Sequence, residues 1–128
     1  MTITPIYAAL LGLLFIVLSV RVIRLRRSRK VAIGAQGDEA VERAMRVHAN
    51  FAEYAPFALL LILMLELKNV ASVWVHILGL MLLVGRALHA YGVSRPDEDF
   101  RFRVSGMSLT FGTIGLASAS LLALGILG

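Results

Sequence analysis

A row of polar and ionisable side chains interrupts an apolar part of the chain, and their types suit the binding of a charged small molecule. They are three or four residues apart, so an α-helix places them along one face: Arg43, Arg46, Asn50 and Glu53. Phe57 continues that face as an apolar residue. The spacing therefore predicts a polar stripe that enters an apolar helix from one end and then stops.

Two interpretations of this stripe are open. Ionisable groups inside a membrane are costly unless they are paired or face an internal cavity, and Glu53 is the clearest case. Glu53 could pair with Arg46, or with an arginine of another span, and merely lock a helix bundle. Alternatively, the stripe lines a polar pocket, which also needs fixed walls. Pro56 cannot donate to the carbonyl of Ala52, and this predicts a kink beside Glu53.

Other ionisable groups lie near the ends of apolar runs. Arg86 and His89 are three residues apart and share a helical face. Arg103 borders a long uncharged run, so its guanidinium reaches either into a site or out to the membrane interface. His76 is isolated among apolar residues beside Trp74, and we interpret it as a packing residue. The three histidines lack ligand spacing and the chain has no cysteine, so we predict no metal site.

The amino-acid composition is more apolar than that of a protein dissolved in water. Hydrophobic residues make up 59% of the 128 residues and charged residues 16%, whereas soluble domains are about half apolar and a quarter charged. A helix crosses a bilayer with about 20 apolar residues. We predict an all-α membrane protein with a four-transmembrane-helix bundle in one domain, 1–128, whose spans cover residues 3–24, 39–67, 70–93 and 102–127.

The second span is the weakest candidate because Glu53 lies inside it. Its apolar core, residues 55–65, is too short to cross a membrane alone. The helix must therefore start earlier and carry its polar residues with it. Asp38 is the predicted N-cap, and Glu39 and Glu42 favour the first helical turn.

A cluster of bases follows the first span directly and predicts the orientation of the chain. Nucleic acid is an alternative partner for such a cluster, but bases beside a membrane span commonly fix topology and attract anionic headgroups. We therefore expect no nucleic-acid partner, cytoplasmic first and third loops, and both termini on the other side. The bases fall within ten residues that contain no acid: Arg21, Arg24, Arg26, Arg27, Arg29 and Lys30.

The segment from Arg43 to Pro56 resembles the second-helix signature of the MAPEG superfamily, with arginine, asparagine, glutamate and proline at the family's spacing. Residues 85–92 resemble its third helix, and residues 102–107 resemble the start of its fourth. The superfamily includes microsomal glutathione transferases, leukotriene synthases and microsomal prostaglandin E synthase. The likeness covers nearly the whole chain and is nearest to the short branch found in the bacterial inner membrane.

This resemblance implies a homotrimer that binds glutathione between neighbouring subunits near the cytoplasmic side. Arginines suit the carboxylates of glutathione, and a glutamate suits its ammonium group. Arg103 falls where the family has the arginine proposed to activate the thiol, and a lipophilic co-substrate would arrive from lipid. The resemblance assigns glutathione binding to Arg46, Asn50, Glu53, Tyr54 and His89, with Arg24 or Arg26 reaching in from the neighbour.

One departure from the family pattern keeps the function open. Several family members have a tyrosine where this chain has Val93, and Tyr91 faces elsewhere on an ideal helix. The first hypothesis is a glutathione transferase or peroxidase that acts on lipophilic electrophiles. The second is a glutathione-binding or scaffold protein without catalysis. The third, suggested by an intramembrane Glu53, is a small transporter or channel component.

Overall fold

The computed structural model describes residues 2–127, and these fold into four α-helices. The helices are α1 (Thr4–Arg29), α2 (Glu39–Leu67), α3 (Ser72–Ser94) and α4 (Phe100–Leu127). Each is long and apolar enough to cross a membrane. The predicted all-α class with four such helices is therefore confirmed. The predicted domain, 1–128, also includes Met1 and Gly128, which lie outside the described residues.

The boundaries of α1 and α2 follow from local chemistry. Lys30 adopts a left-handed conformation, with φ of 56°, and its N–H donates to the carbonyl of Arg26, which ends α1. At the start of α2, the carboxylate of Asp38 accepts from the backbone N–H of Val41 at 3.1 Å. The predicted cap is therefore confirmed, and α2 continues without interruption through Pro56.

The helices pack as two unequal sides around α2 and α3. α3 and α4 share the most extensive contact, whereas α1 lies against α2 and α3 on the other side. The shared core consists of apolar side chains that are almost completely shielded, among them Leu11, Ile62, Leu65, Leu78 and Leu82. Because α2 contacts every other helix, residues along its length meet side chains from both sides of the bundle.

At one end of the bundle, which we call the basic end, α1 and α3 end and α2 and α4 begin. The opposite end is fastened by polar contacts between helices. Glu66 accepts hydrogen bonds from the backbone N–H groups of Thr2, Ile3 and Thr4 at 2.7–2.9 Å. The Tyr7 hydroxyl lies 2.9 Å from Nδ1 of His76. His76, interpreted above as a packing residue, therefore also links α3 to α1.

Candidate functional site

A cavity of about 210 Å³ lies between α2, α3 and α4 towards the basic end. Four of the residues that the family resemblance assigns to the site meet here, although they come from three different helices. Its walls are Arg46, Asn50, His89, Val93, Arg103 and Met107. The structure thus gathers a polar cluster within an otherwise apolar bundle.

Asn50 connects the cavity to a buried arginine of α3. Its Oδ1 accepts a hydrogen bond from Nη2 of Arg86. Arg86 is 1% exposed. Its Nη1 donates to Oγ1 of Thr110 at 3.3 Å, and its guanidinium lies 5.8 Å from the centre of the Phe51 ring. Arg86 therefore joins α2, α3 and α4 at one point directly behind the cavity wall.

The charge of Arg86 has no acidic counterpart close by. Among residues 2–127, no carboxylate lies within ion-pair distance of its guanidinium, and its Nε has no hydrogen-bond partner. An amide oxygen, a hydroxyl and an aromatic face supply dipoles only. A charge buried in this way is costly within a membrane. An anion in the neighbouring cavity would be attracted to it.

Glu98, in the loop before α4, pairs with Arg103 of the cavity wall and with Arg43, which precedes Arg46 on α2. Its side chain is 3% exposed. One oxygen lies 3.0 Å from Nη1 of Arg43, and the other lies 2.7 Å from Nε of Arg103. Arg103 also donates from Nη2 to Glu98 at 2.8 Å. The predicted thiol activator is therefore fixed in place by a carboxylate that the family resemblance did not include.

His89 forms the inner wall of the cavity. It is 5% exposed, and its Nδ1 has no hydrogen-bond partner among residues 2–127. Val93, one helical turn further along α3, is also buried and presents only apolar atoms. Tyr91 points away and meets Arg95 at 3.0 Å through its hydroxyl. The cavity therefore has an imidazole but no phenol.

Two assigned residues of α2 lie outside this cavity. Glu53 is exposed, and its carboxylate has no hydrogen bond or ion pair with Arg46 or any other side chain of residues 2–127. Tyr54 is half-buried and packs edge-on against the Phe111 ring, with the ring centres 5.5 Å apart. Within one subunit, the stripe thus divides into a cavity-lining part and an outward-facing part.

The two candidate arginines after the first span have different surroundings. Arg26 donates to the carbonyl oxygens of Val31 at 3.3 Å and Gly34 at 2.8 Å, and so organises the loop between α1 and α2. Arg24 is exposed and lines a wide groove of about 980 Å³ between α1 and α2. Of the two, Arg24 is the more exposed, whereas Arg26 is half-buried.

The loop between α3 and α4 is rich in local ion pairs. Arg95 donates to Asp97 and holds the pKa of that carboxyl below its ordinary value. Arg101 lowers the pKa of Asp99 in the same way, through hydrogen bonds of 2.8–3.2 Å. These pairs are at the surface, whereas Glu98 between them points inward. The spacing of the three acids gives no signal as to which one is buried.

Together, the four apolar helices and the cationic cavity between them define a multi-pass membrane protein with a polar site inside its bundle. The MAPEG family model matches residues 4–123, and the chain belongs to this family. Among curated proteins, none matches the chain.

Proposed function

We propose that this protein binds glutathione and uses its thiolate against lipophilic electrophiles, as a glutathione transferase or peroxidase does. The observation that carries the proposal is the convergence of Arg46, Asn50, His89 and Arg103 on one cavity. Membership of the MAPEG family, which includes glutathione-linked membrane proteins, supports the same ligand.

The charges around the cavity suit this ligand. Glutathione with an ionised thiol has three negative groups and one positive group. The region in and around the cavity contributes Arg43, Arg46, Arg86 and Arg103 against two carboxylates, Glu98 and the exposed Glu39 that pairs with Arg43. Forked guanidinium groups bind carboxylates through paired, charge-assisted hydrogen bonds. The surplus of positive charge favours a ligand of net negative charge.

The size of the cavity and the position of Glu53 support a site completed by a second copy of the chain. Ligand pockets usually measure about 300–1,000 Å³, and the cavity within one subunit is smaller, at about 210 Å³. Glu53 is exposed in the span, where lipid would leave its carboxylate unsatisfied. In the proposed homotrimer, a neighbouring subunit covers this face, and Arg24 of that neighbour reaches the ligand.

Arg103 is the proposed activating group. A free thiol has a pKa of about 8.5, and a neighbouring cation favours the thiolate. The thiolate sulfur attacks the electrophilic carbon, a carbon–sulfur bond forms, and the leaving group departs with the bonding electron pair. Arg103 stays charged throughout and takes up no proton. The electrophile enters from lipid.

The basic end faces the cytoplasm of a bacterial inner membrane, with both termini in the periplasm.

A second candidate function is glutathione binding without turnover. Val93 favours it, because this buried residue brings no hydroxyl to the cavity wall beside His89. The ion pair between Glu98 and Arg103 favours it as well, since the carboxylate offsets part of the charge that would stabilise a thiolate. In this alternative the protein is a glutathione-dependent scaffold.

Calorimetric titration of the purified, detergent-solubilised protein with glutathione tests the binding. The thiolate is followed by its absorbance at about 240 nm, and turnover by conjugation of a lipophilic electrophile. Arg103→Ala should retain most of the binding and lose the thiolate signal. Arg101→Ala is the matched control, because it removes the same charge two residues away at a side chain that is 89% exposed.

The outcomes separate the candidates. A thiolate signal that requires Arg103 but not Arg101 supports the enzyme. Saturable binding without conjugation, in the presence of standard electrophiles, supports the scaffold. Absence of binding contradicts both. The homotrimer is tested by native mass spectrometry of the detergent complex, where a monomer would contradict the shared site.

A further inference from the structure

Among residues 2–127, Glu98 is the one acid within ion-pair distance of Arg103, and it also pairs with Arg43, whose other acidic partner is Glu39. It is nearly fully buried, at 3% exposure, although the residues on either side of it in the loop have surface partners. Its Oε1 accepts from Nη1 of Arg43 at 3.0 Å and from Nη2 of Arg103 at 2.8 Å, and its Oε2 lies 2.7 Å from Nε of Arg103 without forming a hydrogen bond. Of the three consecutive acids of this loop, Glu98 is thus the one that contacts both Arg43 and Arg103.

We propose that Glu98 is a positioning residue that holds Arg103 against the cavity and sets how much positive charge Arg103 presents there. This inference rests on the proposed function. Arg43 has a defined part in the arrangement, because it competes with Arg103 for the same carboxylate. Arg43 also pairs with the exposed Glu39 at 3.1 Å, whereas Glu98 is the one acid paired with Arg103 among residues 2–127.

Glu98 and Arg43 together determine how strongly Arg103 stabilises the thiolate form of bound glutathione. Nη2 of Arg103 donates to Oε1 of Glu98, and its Nε lies 2.7 Å from Oε2 without a hydrogen bond, so Glu98 holds one side of the guanidinium and leaves Nη1 for a ligand. Neutralising Glu98 strengthens the field of Arg103 at the cavity, and removing Arg43 strengthens the hold of Glu98 on Arg103. The two changes should therefore shift the pKa of the bound thiol in opposite directions.

Other charged groups face the same space and remain constant in this comparison. They are Glu39 and Arg46 on α2, and Arg86 and His89 on α3. Their combined contribution to thiolate stability is the same in every variant that leaves them intact. A difference between such variants thus reports on Glu98 and Arg43.

The experiment measures the pH at which glutathione bound to the protein ionises, by titrating the thiolate absorbance at saturating glutathione. Glu98→Gln keeps the size and one acceptor oxygen but removes the charge. The ratio of thiolate to thiol at fixed pH should rise about 3- to 10-fold, a shift of about half to one pH unit. Arg43→Met should lower the same ratio. A misfolded variant cannot produce these opposite changes, because it would lose the signal in both cases.

Asp97→Asn is the matched control, since it removes the same charge from an exposed neighbour whose side chain is 76% exposed. It should leave the ratio unchanged. If Glu98→Gln and Asp97→Asn behave alike while the wild-type protein still shows a thiolate signal, the role of Glu98 is wrong and the proposed function stands. If the wild-type protein binds no glutathione in calorimetry, the proposed function fails and this inference falls with it.

Discussion

Gly85 of α3 and Gly106 of α4 lie against each other where the two helices pack beside the cavity. A Cβ atom on Gly106 would lie 2.6 Å from the carbonyl oxygen of Gly85, and 2.6 Å from the backbone nitrogen of His89. Real Cβ atoms do not approach backbone atoms so closely. The pair therefore sets the distance between the helix that bears Arg86 and His89 and the helix that bears Arg103.

Gly106→Ala should destabilise the protein, because the backbone of α3 cannot move away without separating the helices. Overpacking of this kind costs about 1–3 kcal/mol, and it exceeds the gain of about 1 kcal/mol in helix propensity. Denaturation in mixed micelles measures the change. Gly115→Ala, at a position of α4 with open space around the added atom, is the control and should be neutral or slightly stabilising. Equal effects of the two substitutions would refute the close-approach argument.

Arg86→Met should leave stability nearly unchanged while weakening glutathione binding about tenfold or more. Removing a buried charge removes its desolvation cost, which offsets the lost bonds to Asn50 and Thr110. A ligand anion in the neighbouring cavity, in contrast, loses the Coulomb attraction of a buried cation, on the order of 1–2 kcal/mol at several ångströms. Calorimetry gives the affinity and denaturation the stability. Arg95→Met removes a charge from the surface loop and should alter neither the affinity nor the stability. If Arg86→Met loses much stability while its affinity is unchanged, Arg86 has a structural role instead.

Glu66→Ala should loosen the start of α1, because three backbone N–H groups lose their acceptor. Loss of a helix cap costs about 0.5–2 kcal/mol. Glu66→Gln should cost less, since its amide oxygen still accepts from the helix start. Hydrogen exchange of the backbone amides of residues 2–4 and the denaturation midpoint are the measurements. Glu42→Ala is the control, because Glu42 is an exposed acid of α2, the helix that bears Glu66, and this change should have little effect.

Val93→Tyr should raise conjugation activity by at least about tenfold, if its hydroxyl donates to the thiolate as a fixed dipole in a dry site does. The side chain of Val93 borders the cavity, so the larger ring has space to enter. Val93→Phe adds the ring without the hydroxyl. It therefore distinguishes the effect of filling the cavity from the effect of the hydrogen bond. Equal activities of the two variants would show that the hydroxyl makes no contribution.

The extent to which the chain specified this fold in advance differs between its elements. The apolar runs predicted four helices because a bilayer-spanning helix requires a minimum length of apolar sequence, and little else satisfies it. The start of α2 followed from Asp38, whose side chain caps the helix locally. These features depend on neighbours within a few residues, so the sequence alone was sufficient to predict them.

The contacts of the candidate site were harder to predict, because they join residues that are distant in the chain. Helical spacing placed Arg86 beside His89, but it could not show that Arg86 would reach Asn50, 36 residues earlier. Glu98 is one of three acids in a short loop, and only the packing of α4 turns it inward. Hydrogen bonds with the loop hold Arg26, whereas Arg24 is exposed beside a groove, and the spacing of the two in the sequence did not indicate this difference.

The way polar groups are satisfied also bears on how the chain enters a bilayer. Thr113 and Ser120 each bond the carbonyl of the residue four positions earlier, so their hydroxyls need no neighbour and can be inserted with their own helix. The guanidinium of Arg86, in contrast, has its hydrogen-bond acceptors on other helices. Its acceptors belong to α2, which is synthesised before it, and to α4, which follows. Biogenesis of α3 is therefore a cooperative step, in which the charge is first sheltered by the preceding helix and its coordination is completed only when the last helix arrives.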